Sequence, residues 1–257
     1  MKIITWNVNG YTSALDGGLR SLLEEGHCDA LCLQETKISW HHLPIVPGYR
    51  AFWACAEKSG YSGTAILTQE EPLDVIIGTG IEEFDREGRC ITIEMDEFFL
   101  INAYAPYSRV DLSRLEYRRR WELSMLALLC RLQKSKPVIL CGDLNVAAED
   151  IDVFKPEGHH HDAGFTDDER GWHRKLKEEA GLIDVWRMLN KEVSSFTWFS
   201  SIEARMLDVG MRLDYILVSH KLLMPGPCPW LAFAEHRRDI LGSDHCPVLL
   251  ELQRINT

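Results

Sequence analysis

Several short apolar runs in this chain close on residues able to hold a metal ion or move a proton. Val138-Ile139-Leu140-Cys141-Gly142 ends on Asp143-Leu144-Asn145; period-two alternation puts Asp143 and Asn145 on one face, and Gly142 permits a bend or a close approach. Ile3-Ile4-Thr5-Trp6 runs into Asn7-Val8-Asn9-Gly10, and Ala30-Leu31-Cys32-Leu33 into Gln34-Glu35-Thr36-Lys37, an acid followed by a base. Phe99-Leu100-Ile101-Asn102-Ala103-Tyr104 stops just before Pro106, which cannot continue a ladder. Further on, Arg212-Leu213-Asp214-Tyr215 opens one strand and Gly242-Ser243-Asp244-His245-Cys246-Pro247 precedes another.

If these groups met in one pocket, they would suit phosphate chemistry. Asn7, Asn9, Glu35 and Asp244 offer oxygen with no Cys/His cluster, which fits a hard cation such as Mg²⁺, with Mn²⁺ as a substitute, held by one or two carboxylates and water. Such an ion polarises a phosphoryl oxygen and stabilises an in-line displacement. Asp143 would orient or deprotonate the attacking water, and Asn145 would hold it without adding negative charge. His245, kept protonated and oriented by Asp214, would donate to the phosphate oxygen. Taken singly, each residue also has a plain reading: Asn7 and Asn9 as turn caps, Glu35-Thr36-Lys37 as a loop start, Asp214 and His245 as a surface hydrogen bond. Their joint occurrence at strand boundaries favours a site, because rigid strands with loops at their ends are where chemistry collects.

The elements that must position these groups are mostly strands. Strand-like runs fall near residues 2–8, 30–34, 49–55, 63–68, 73–78, 90–95, 98–104, 138–142, 214–218, 229–234 and 247–252. Helical periodicity is clearest from Leu15 to Glu25, from Leu115 to Leu132 and from Asp167 to Glu179, with Gly17 and Gly18 weakening the start of the first. These strands are too many for one comfortable sheet, so the expected fold is α/β with two packed sheets and helices outside. At 257 residues and 46% hydrophobic content the chain can bury a large core, and no linker, repeat or low-complexity tract divides it, so residues 1–257 are expected to form a single domain.

Composition narrows the functional classes. Met1-Lys2-Ile3-Ile4 enters a strand without a secretory n-region and h-region, and no apolar run is long enough to span a bilayer. Eight cysteines include no Cys-x-x-Cys pair; Cys32, Cys90, Cys130 and Cys141, within apolar runs, read as buried small hydrophobes in a reducing compartment. The expected location is cytoplasmic, or nuclear in a eukaryotic cell, with no membrane partner. A formal charge of -11 speaks against a charge-dominated polymer binder but leaves room for a local basic lip. The densest basic stretch, Arg114 to Arg120, opens a helix and is read first as a solvated face, with phosphate contact as the sharper alternative.

Together with Gly60-Tyr61-Ser62-Gly63, Glu82 to Gly88, Arg114-Leu115-Glu116-Tyr117-Arg118 and Ala163-Gly164-Phe165-Thr166, these runs in this order resemble one family over nearly the whole length. It is that of the exonuclease III-type apurinic/apyrimidinic (AP) endonucleases, within the DNase I-like endonuclease/exonuclease/phosphatase superfamily. The resemblance implies a four-layer α/β sandwich with two packed central β-sheets flanked by helices. It also implies a Mg²⁺-dependent hydrolase of base-excision repair acting as a monomer on double-stranded DNA with abasic sites or 3′-blocked ends. Cleavage 5′ to the abasic site would leave a 3′-hydroxyl and a 5′-deoxyribose phosphate, accompanied by 3′→5′ exonuclease or 3′-end trimming.

Residue by residue, Glu35 resembles the principal metal carboxylate, with Asn7, Asn9 and Asp244 near the same ion. Asp143 resembles the proton acceptor or water-orienting group and Asn145 its partner, both becoming ligands if a second metal binds. Tyr104 resembles the tyrosine on the scissile phosphate, His245 and Asp214 the family's histidine–aspartate pair, and Lys37 a residue beside the DNA backbone.

The departures fall where DNA would be gripped. Tyr107 stands where the family usually has asparagine, and Gly158-His159-His160-His161-Asp162 replaces a loop that usually carries asparagines. That loop reads as polar and phosphate-facing rather than as a metal tract, since neighbouring side chains in a loop do not converge; Asp162 would have to turn away from a phosphate or stay protonated. Met211 stands where a tryptophan usually walls the pocket for a flipped-out abasic sugar, while Trp198 and Leu213 match the other walls; ordinary core packing is the alternative for Trp198 and Met211. Ile202-Glu203-Ala204-Arg205-Met206 falls where the family inserts a loop into DNA, with Ile202 or Met206 as a wedge and Arg205 on phosphate, or forms a plain surface turn. One rival reading keeps the chemistry and shifts the substrate, to an exonuclease or less specific DNase. Another is a catalytically inactive DNA- or protein-binding module, against which stands the presence of every catalytic-type position.

Overall fold

Runs that are apolar on both faces form inner strands, and the one exposed at both ends lies at an edge. The computed structural model of the chain describes residues 1–26, 28–223 and 230–254. Its strands are β1 (Lys2–Asn7), β2 (Ala30–Gln34), β3 (Arg50–Ala54), β4 (Thr64–Thr68), β5 (Asp74–Ile77), β6 (Cys90–Glu94), β7 (Phe99–Tyr104), β8 (Val138–Asp143), β9 (Leu182–Asp184), β10 (Asp214–Ser219), β11 (Trp230–His236) and β12 (Val248–Arg254). They form two six-stranded sheets, in the orders β11-β12-β1-β2-β4-β3 and β5-β6-β7-β8-β10-β9. β2, β4, β8 and β10 are buried at every position, as inner strands must be, whereas β5 is exposed at both ends.

The helices are α1 (Tyr11–Ala14), α2 (Arg20–Glu25), α3 (Glu82–Asp85), α4 (Leu115–Leu132), α5 (Asp167–Glu179), α6 (Val185–Leu189), α7 (Ile202–Met206) and α8 (His220–Leu223). Ile3, Ile66, Leu100, Ile139 and Leu250 pack between the sheets. Trp121, Met125 and Leu129 of α4 cover the outer face of the second sheet, and Tyr11, Ala14 and Leu22 cover the first. The result is the expected helix–sheet–sheet–helix sandwich.

Most expected elements stand within a residue or two of their predicted bounds. The strand expected from residue 229 is observed from Trp230; residue 229 itself lies outside the described residues. β9 was not foreseen, because three residues are too short to display a period. The helix expected from Leu15 is broken: Gly17 adopts φ -99°, ψ -131°, so Leu15–Leu19 forms a π turn before α2 resumes. Cys130 corrects the cysteine reading, being exposed on α4, while the other described cysteines are buried and unpaired. Arg118 corrects the reading of the basic stretch. It is fully buried and paired with Glu122, on the same face as Trp121 and Met125, whereas Arg119 and Arg120 stay exposed and pair with Glu116 and Glu83.

Topology brings the polar strand ends to one edge of the sandwich. β1 and β2 run parallel, as do β7 and β8, so Asn7, Gln34, Tyr104 and Asp143 all lie at C-terminal strand ends. β10 runs antiparallel to β8 with Asp214 opposite Asp143, and β12 runs antiparallel to β1 with Val248 opposite Thr5. Beneath the edge, buried amides join the sheets: Gln34 Nε2 donates to Asn102 Oδ1 (2.7 Å), and Asn102 Nδ2 donates to the Leu33 and Ala65 carbonyls (2.9 and 2.8 Å). Buried amide hydrogen bonds that cross between the layers in this way fix one alignment of the two sheets.

Gly142 sets how closely β7 can approach β8. Its φ is +139°, and a Cβ there would lie 1.8 Å from the Ala103 carbonyl oxygen. Gly142→Ala is therefore expected to destabilise the fold by about 1–3 kcal/mol through overpacking, with further strain from the positive φ. Chemical denaturation checks this, and a variant as stable as the parent would contradict the close approach.

Candidate active site

The strand ends enclose a cavity of ≈ 330 Å³ lined by Asn7, Glu35, Tyr104, Tyr107, Asp143, Asn145, Ala163, Gly164, Trp198, Met211, Leu213, Asp244 and His245. Eleven of the residues expected at the site thus meet in one place: all of these except Ala163 and Gly164. Asn9 and Lys37 join them at the rim, Asn9 through Asp244 (3.1 Å) and Lys37 through Glu35 (3.2 Å).

On one side stands a triad hydrogen-bonded at one joint and ion-paired at the other. His245 Nδ1 lies 2.8 Å from Asp214 Oδ2, and His245 Nε2 lies 3.8 Å from Asp143 Oδ2. Asp143 accepts from Asn7 Nδ2 (2.8 Å) and from the Asn145 backbone N–H (2.9 Å). All three triad residues are buried. Burial pushes the Asp143 carboxyl up to about 7, against the lowering effect of the His245 charge and with a further push from Asp214. Burial also opposes the charged form of His245, but the Asp214 carboxylate and its hydrogen bond outweigh this and raise the imidazole to about 10. Near neutral pH the site therefore holds an imidazolium beside a carboxyl poised to take up or release a proton, the condition general acid–base chemistry needs.

On the other side stand the oxygen donors. Tyr104 Oη donates to Glu35 Oε2 (3.3 Å), and Trp198 Nε1 donates to Asp244 Oδ2 (3.2 Å). Lys37 Nζ lies 2.5 Å from Asn9 Oδ1 and 3.2 Å from Glu35 Oε1. An ammonium drawn onto Glu35 and Asn9 shows that these oxygens accept a cation, and with Asp244 lining the same cavity the residues supply the carboxylate and amide oxygens that fit a hard dication. Asp143, Asp214 and His245 also bring ligand-type atoms within 4.8 Å of one another, but the imidazolium already supplies positive charge there. Tyr104 stays protonated, since burial and the Glu35 and Asp143 charges raise its pKa well above the usual phenol value.

The local backbone is held in costly conformations. Asn9, Glu35, Lys37 and Asn145 have φ of 46°, 54°, 56° and 47°. Left-handed backbone is uncommon outside glycine and costs about 1–3 kcal/mol per residue, and such outliers gather at functional sites. Their neighbours support them: Gly10 N–H donates to the Glu35 carbonyl (2.8 Å) and Lys37 N–H to the Ser62 carbonyl (2.9 Å).

Some residues expected near DNA are less closely drawn in. His159 and Asp162 are exposed and pair with each other through Nδ1 and Oδ2 (2.7 Å), so the acid is already engaged within its own loop. Among the described residues the histidine run forms no metal cluster; His160 instead stacks on Phe165, with ring centroids 4.9 Å apart. Tyr107 is exposed at the cavity mouth. Arg205 departs from its expected role on a phosphate: its guanidinium turns inward onto the carbonyls of Ser243, Arg238 and Ile240 (3.2, 3.0 and 2.7 Å). The segment around it is helical, with Ser201 capping α7 through the Ala204 N–H (3.1 Å).

Supporting residues went unnoticed in the sequence. Arg118 donates to the carbonyls of Pro106, Leu144 and Asn145 (3.0, 2.5 and 3.3 Å), tying the loops after β7 and β8 to α4. Its i, i+4 spacing from Glu122 on the apolar face of α4 was the available signal. Arg89 lies 4.7 Å over the Tyr104 ring, and Glu169 receives Ser108 Oγ (2.6 Å) and Gly164 N–H (2.8 Å). Neither contact has a local signature.

Comparison with known proteins agrees with this geometry. Residues 4–245 match the endonuclease/exonuclease/phosphatase family. The chain is 42% identical over 254 residues to an exodeoxyribonuclease of Bacillus subtilis, covering 97% of this chain and 98% of that protein. It is 43% identical over 260 residues to the DNA repair nuclease APEX1 of Danio rerio, covering 98% of this chain and 82% of that one. Among solved structures, an AP endonuclease from Leishmania major superposes with a TM-score of 0.86 at 29% identity, covering 99% of this chain and 88% of that chain. A 3′ phosphatase from Neisseria, bound to a product DNA hairpin, superposes with a TM-score of 0.85 at 27% identity, covering 98% and 99%. A buried Asp–His–Asp triad facing an oxygen-donor cluster across two packed sheets, with relatives this similar end to end, leaves one assignment: the chain is a hydrolase belonging to the endonuclease/exonuclease/phosphatase family, in its exonuclease III-type AP endonuclease branch, where metal dependence is general.

Proposed function

We propose that this protein is a Mg²⁺-dependent AP endonuclease that cuts duplex DNA 5′ to abasic sites and trims 3′ ends, with Mn²⁺ able to replace Mg²⁺. The observation that carries the reading is the cavity itself, in which Asp143 and His245 face an apolar wall of Trp198, Met211 and Leu213. An abasic sugar is a small group that needs little unstacking to leave the helix, and the C–H face of its ring suits such a wall. All the groups come from one chain, so a monomer suffices.

Glu35 and Asp244, assisted by Asn7 and Asn9, would hold the cation, which polarises the phosphoryl oxygen and offsets the charge of the displacement. Lys37 must leave its place between Glu35 and Asn9 for this, and it then faces the DNA backbone. Asp143 orients the attacking water and takes its proton, with the Asn7 amide and Asn145 N–H fixing both carboxyl oxygens. His245, fixed through Nδ1 by Asp214, presents Nε2–H to the phosphate oxygen as negative charge grows there. Tyr104, which stays protonated, adds a neutral donor beside the imidazolium. Water attacks phosphorus as the bond to the upstream O3′ breaks; Asp143 takes the water's proton and the departing O3′ takes one from solvent, giving a 3′-hydroxyl and a 5′-deoxyribose phosphate.

Labelled duplexes carrying an abasic site, no lesion or a 3′-phosphate, run beside a single strand, test the substrate. Cleavage next to the abasic site, silenced by EDTA and restored by Mg²⁺ or Mn²⁺, is expected. Efficient cutting in chelator would remove the metal role given to Glu35. Met211 makes the wall flexible where a ring would be planar. Met211→Trp is expected to raise the rate ratio of abasic to intact duplex by about tenfold, the scale of about 1–2 kcal/mol of pocket complementarity. An unchanged ratio would take Met211 out of substrate choice.

A further inference from the structure

The loop that carries Asp244 and His245 is held from three sides. Arg205 Nη1 donates to the Ser243 carbonyl (3.2 Å) and reaches the His245 carbonyl (3.5 Å), while Nη2 donates to those of Arg238 and Ile240 (3.0 and 2.7 Å). The Asp244 carbonyl accepts from the Phe199 N–H (3.0 Å), and the His245 carbonyl also accepts from Trp6 Nε1 (3.1 Å). From below, Gly18 N–H donates to the Leu241 carbonyl (2.8 Å). A Cβ on Gly17 would lie 2.5 Å from Gly242 Cα, and one on Gly18 would lie 2.5 Å from Ile240 Cγ2. The loop thus rests on a closely packed floor, and the other bodies that touch it through Arg205 and Phe199 are α7 and its lead-in.

α7 is the thin member of this assembly. It has five residues, none buried, and Ile202, Met206 and Leu207 are 76%, 82% and 73% exposed. Arg238 pairs with Asp208 just beyond α7 (2.9 Å), and the Arg205 and Arg238 guanidinium carbons lie 5.5 and 5.3 Å from the Phe199 ring centroid. Anything that presses on the exposed apolar side chains therefore bears on a guanidinium whose partners include the carbonyls on both sides of Asp244.

We infer that Arg205 is a positioning residue that couples contact between the apolar face of α7 and a nucleic-acid duplex to the alignment of Asp244 and His245. Seating of α7 on the duplex then raises the rate of the chemical step and not only affinity. The inference rests on the DNA-cutting reading above. It assigns Arg205 no contact with phosphate, since its two terminal nitrogens are already engaged with main-chain carbonyls.

A double-mutant cycle on the full chain tests it, using single-turnover cleavage of the abasic duplex with Mg²⁺. Ile202→Ser/Met206→Ser is expected to slow cleavage on the order of tenfold and weaken duplex binding. Arg205→Met is expected to slow it on the order of a hundredfold, the scale of an ångström of misalignment. The combined variant should be no slower than Arg205→Met, yet should keep the binding loss of the surface pair. Rate losses that multiply would overturn the coupling, as would a parental rate in Arg205→Met. An independent readout is the His245 imidazole resonance of the metal-free protein, which should move in Arg205→Met and stay put in the surface variant; the opposite pattern also overturns it. Should Arg205→Met not fold, Arg205→Lys carries the same cycle, because one ammonium cannot span the four carbonyls. A parent chain inactive on abasic duplex but active on either of the other two duplexes sinks the substrate reading alone, and the cycle then runs on that duplex; a parent that cuts only the single strand overturns the coupling to a duplex as well.

Discussion

Asp143→Ala is expected to lower kcat on an abasic duplex by about a thousandfold or more, the upper range for losing a positioned proton acceptor, with KM nearly unchanged. Stability should hardly suffer. Asp143 titrates near 7 because burial penalises its charge, so above that pH the folded protein carries an unfavourable carboxylate that alanine removes. His245→Ala should be comparably damaging for a compound reason. It deletes the donor to the phosphate and also the positive charge that holds the Asp143 carboxyl down, so Asp143 becomes still harder to ionise. The double variant should cost little more than either single one, since the two act as a unit. In the parent protein the acid limb of the activity profile should lie at or below about 7, because a cation nearby favours the carboxylate, and the alkaline limb at or below about 10, because the same cation disfavours the imidazolium of His245. Near-parental turnover in either single variant would remove the proton-handling roles.

Asp152→Ala is expected to destabilise the fold by about 3–5 kcal/mol, the range for breaking a buried ion pair by removing one partner. Asp152 is fully buried and receives Arg212 Nε (2.7 Å), Arg212 Nη2 (3.0 Å) and Arg187 Nη2 (2.5 Å), while Arg212 Nη1 also reaches Asp184 (2.7 Å). The loss leaves Arg187 with main-chain carbonyls as partners and Arg212 with Asp184 as its remaining carboxylate. For a chain of this size it corresponds to a fall in Tm of roughly 10 °C. Burial alone would raise the Asp152 carboxyl, but the Arg212 and Arg187 charges hold it below the usual carboxylate range. Its contribution is therefore full above the unfolded value of about 3.9 and lost as pH falls through the lower folded value. The stability gap between the parent and Asp152→Asn should narrow in acid; a constant gap would mean the charge is not what matters. The network reaches the site through Arg212, which sits between the pocket wall residues Met211 and Leu213, two residues before Asp214.

How much of this was legible depended on whether a residue's role is local. The two parallel strand pairs carry Asn7, Tyr104 and Asp143 to one edge, so the heart of the site followed from short runs. Asn145 does join Asp143 there, but not by alternation, since β8 ends at Asp143 and Asn145 turns back with a left-handed φ of 47° and its N–H on the Asp143 carboxylate (2.9 Å). β9, with three residues, offers no period to read. The left-handed backbone at Glu35 and Lys37 has no signal in side-chain type; it follows from hydrogen bonds to Gly10 and Ser62 that only the folded chain supplies. Arginine was the hardest residue to place. Arg118 and Arg205 look like surface charges ready for phosphate, but both spend their donors on main-chain carbonyls around the loops that carry the chemistry. A long flexible side chain with five donors serves either purpose, and only the position of its helix relative to those loops decides.

The central claim is that water, handled by Asp143, is added to phosphorus. It is tested most directly by cleaving an abasic duplex in water enriched in ¹⁸O and weighing both fragments. One heavy oxygen in the 5′-phosphate of the downstream fragment, opposite an unlabelled 3′-hydroxyl, is the predicted result. An unlabelled phosphate beside a 3′-unsaturated aldehyde, the products of elimination at the sugar, would contradict the account.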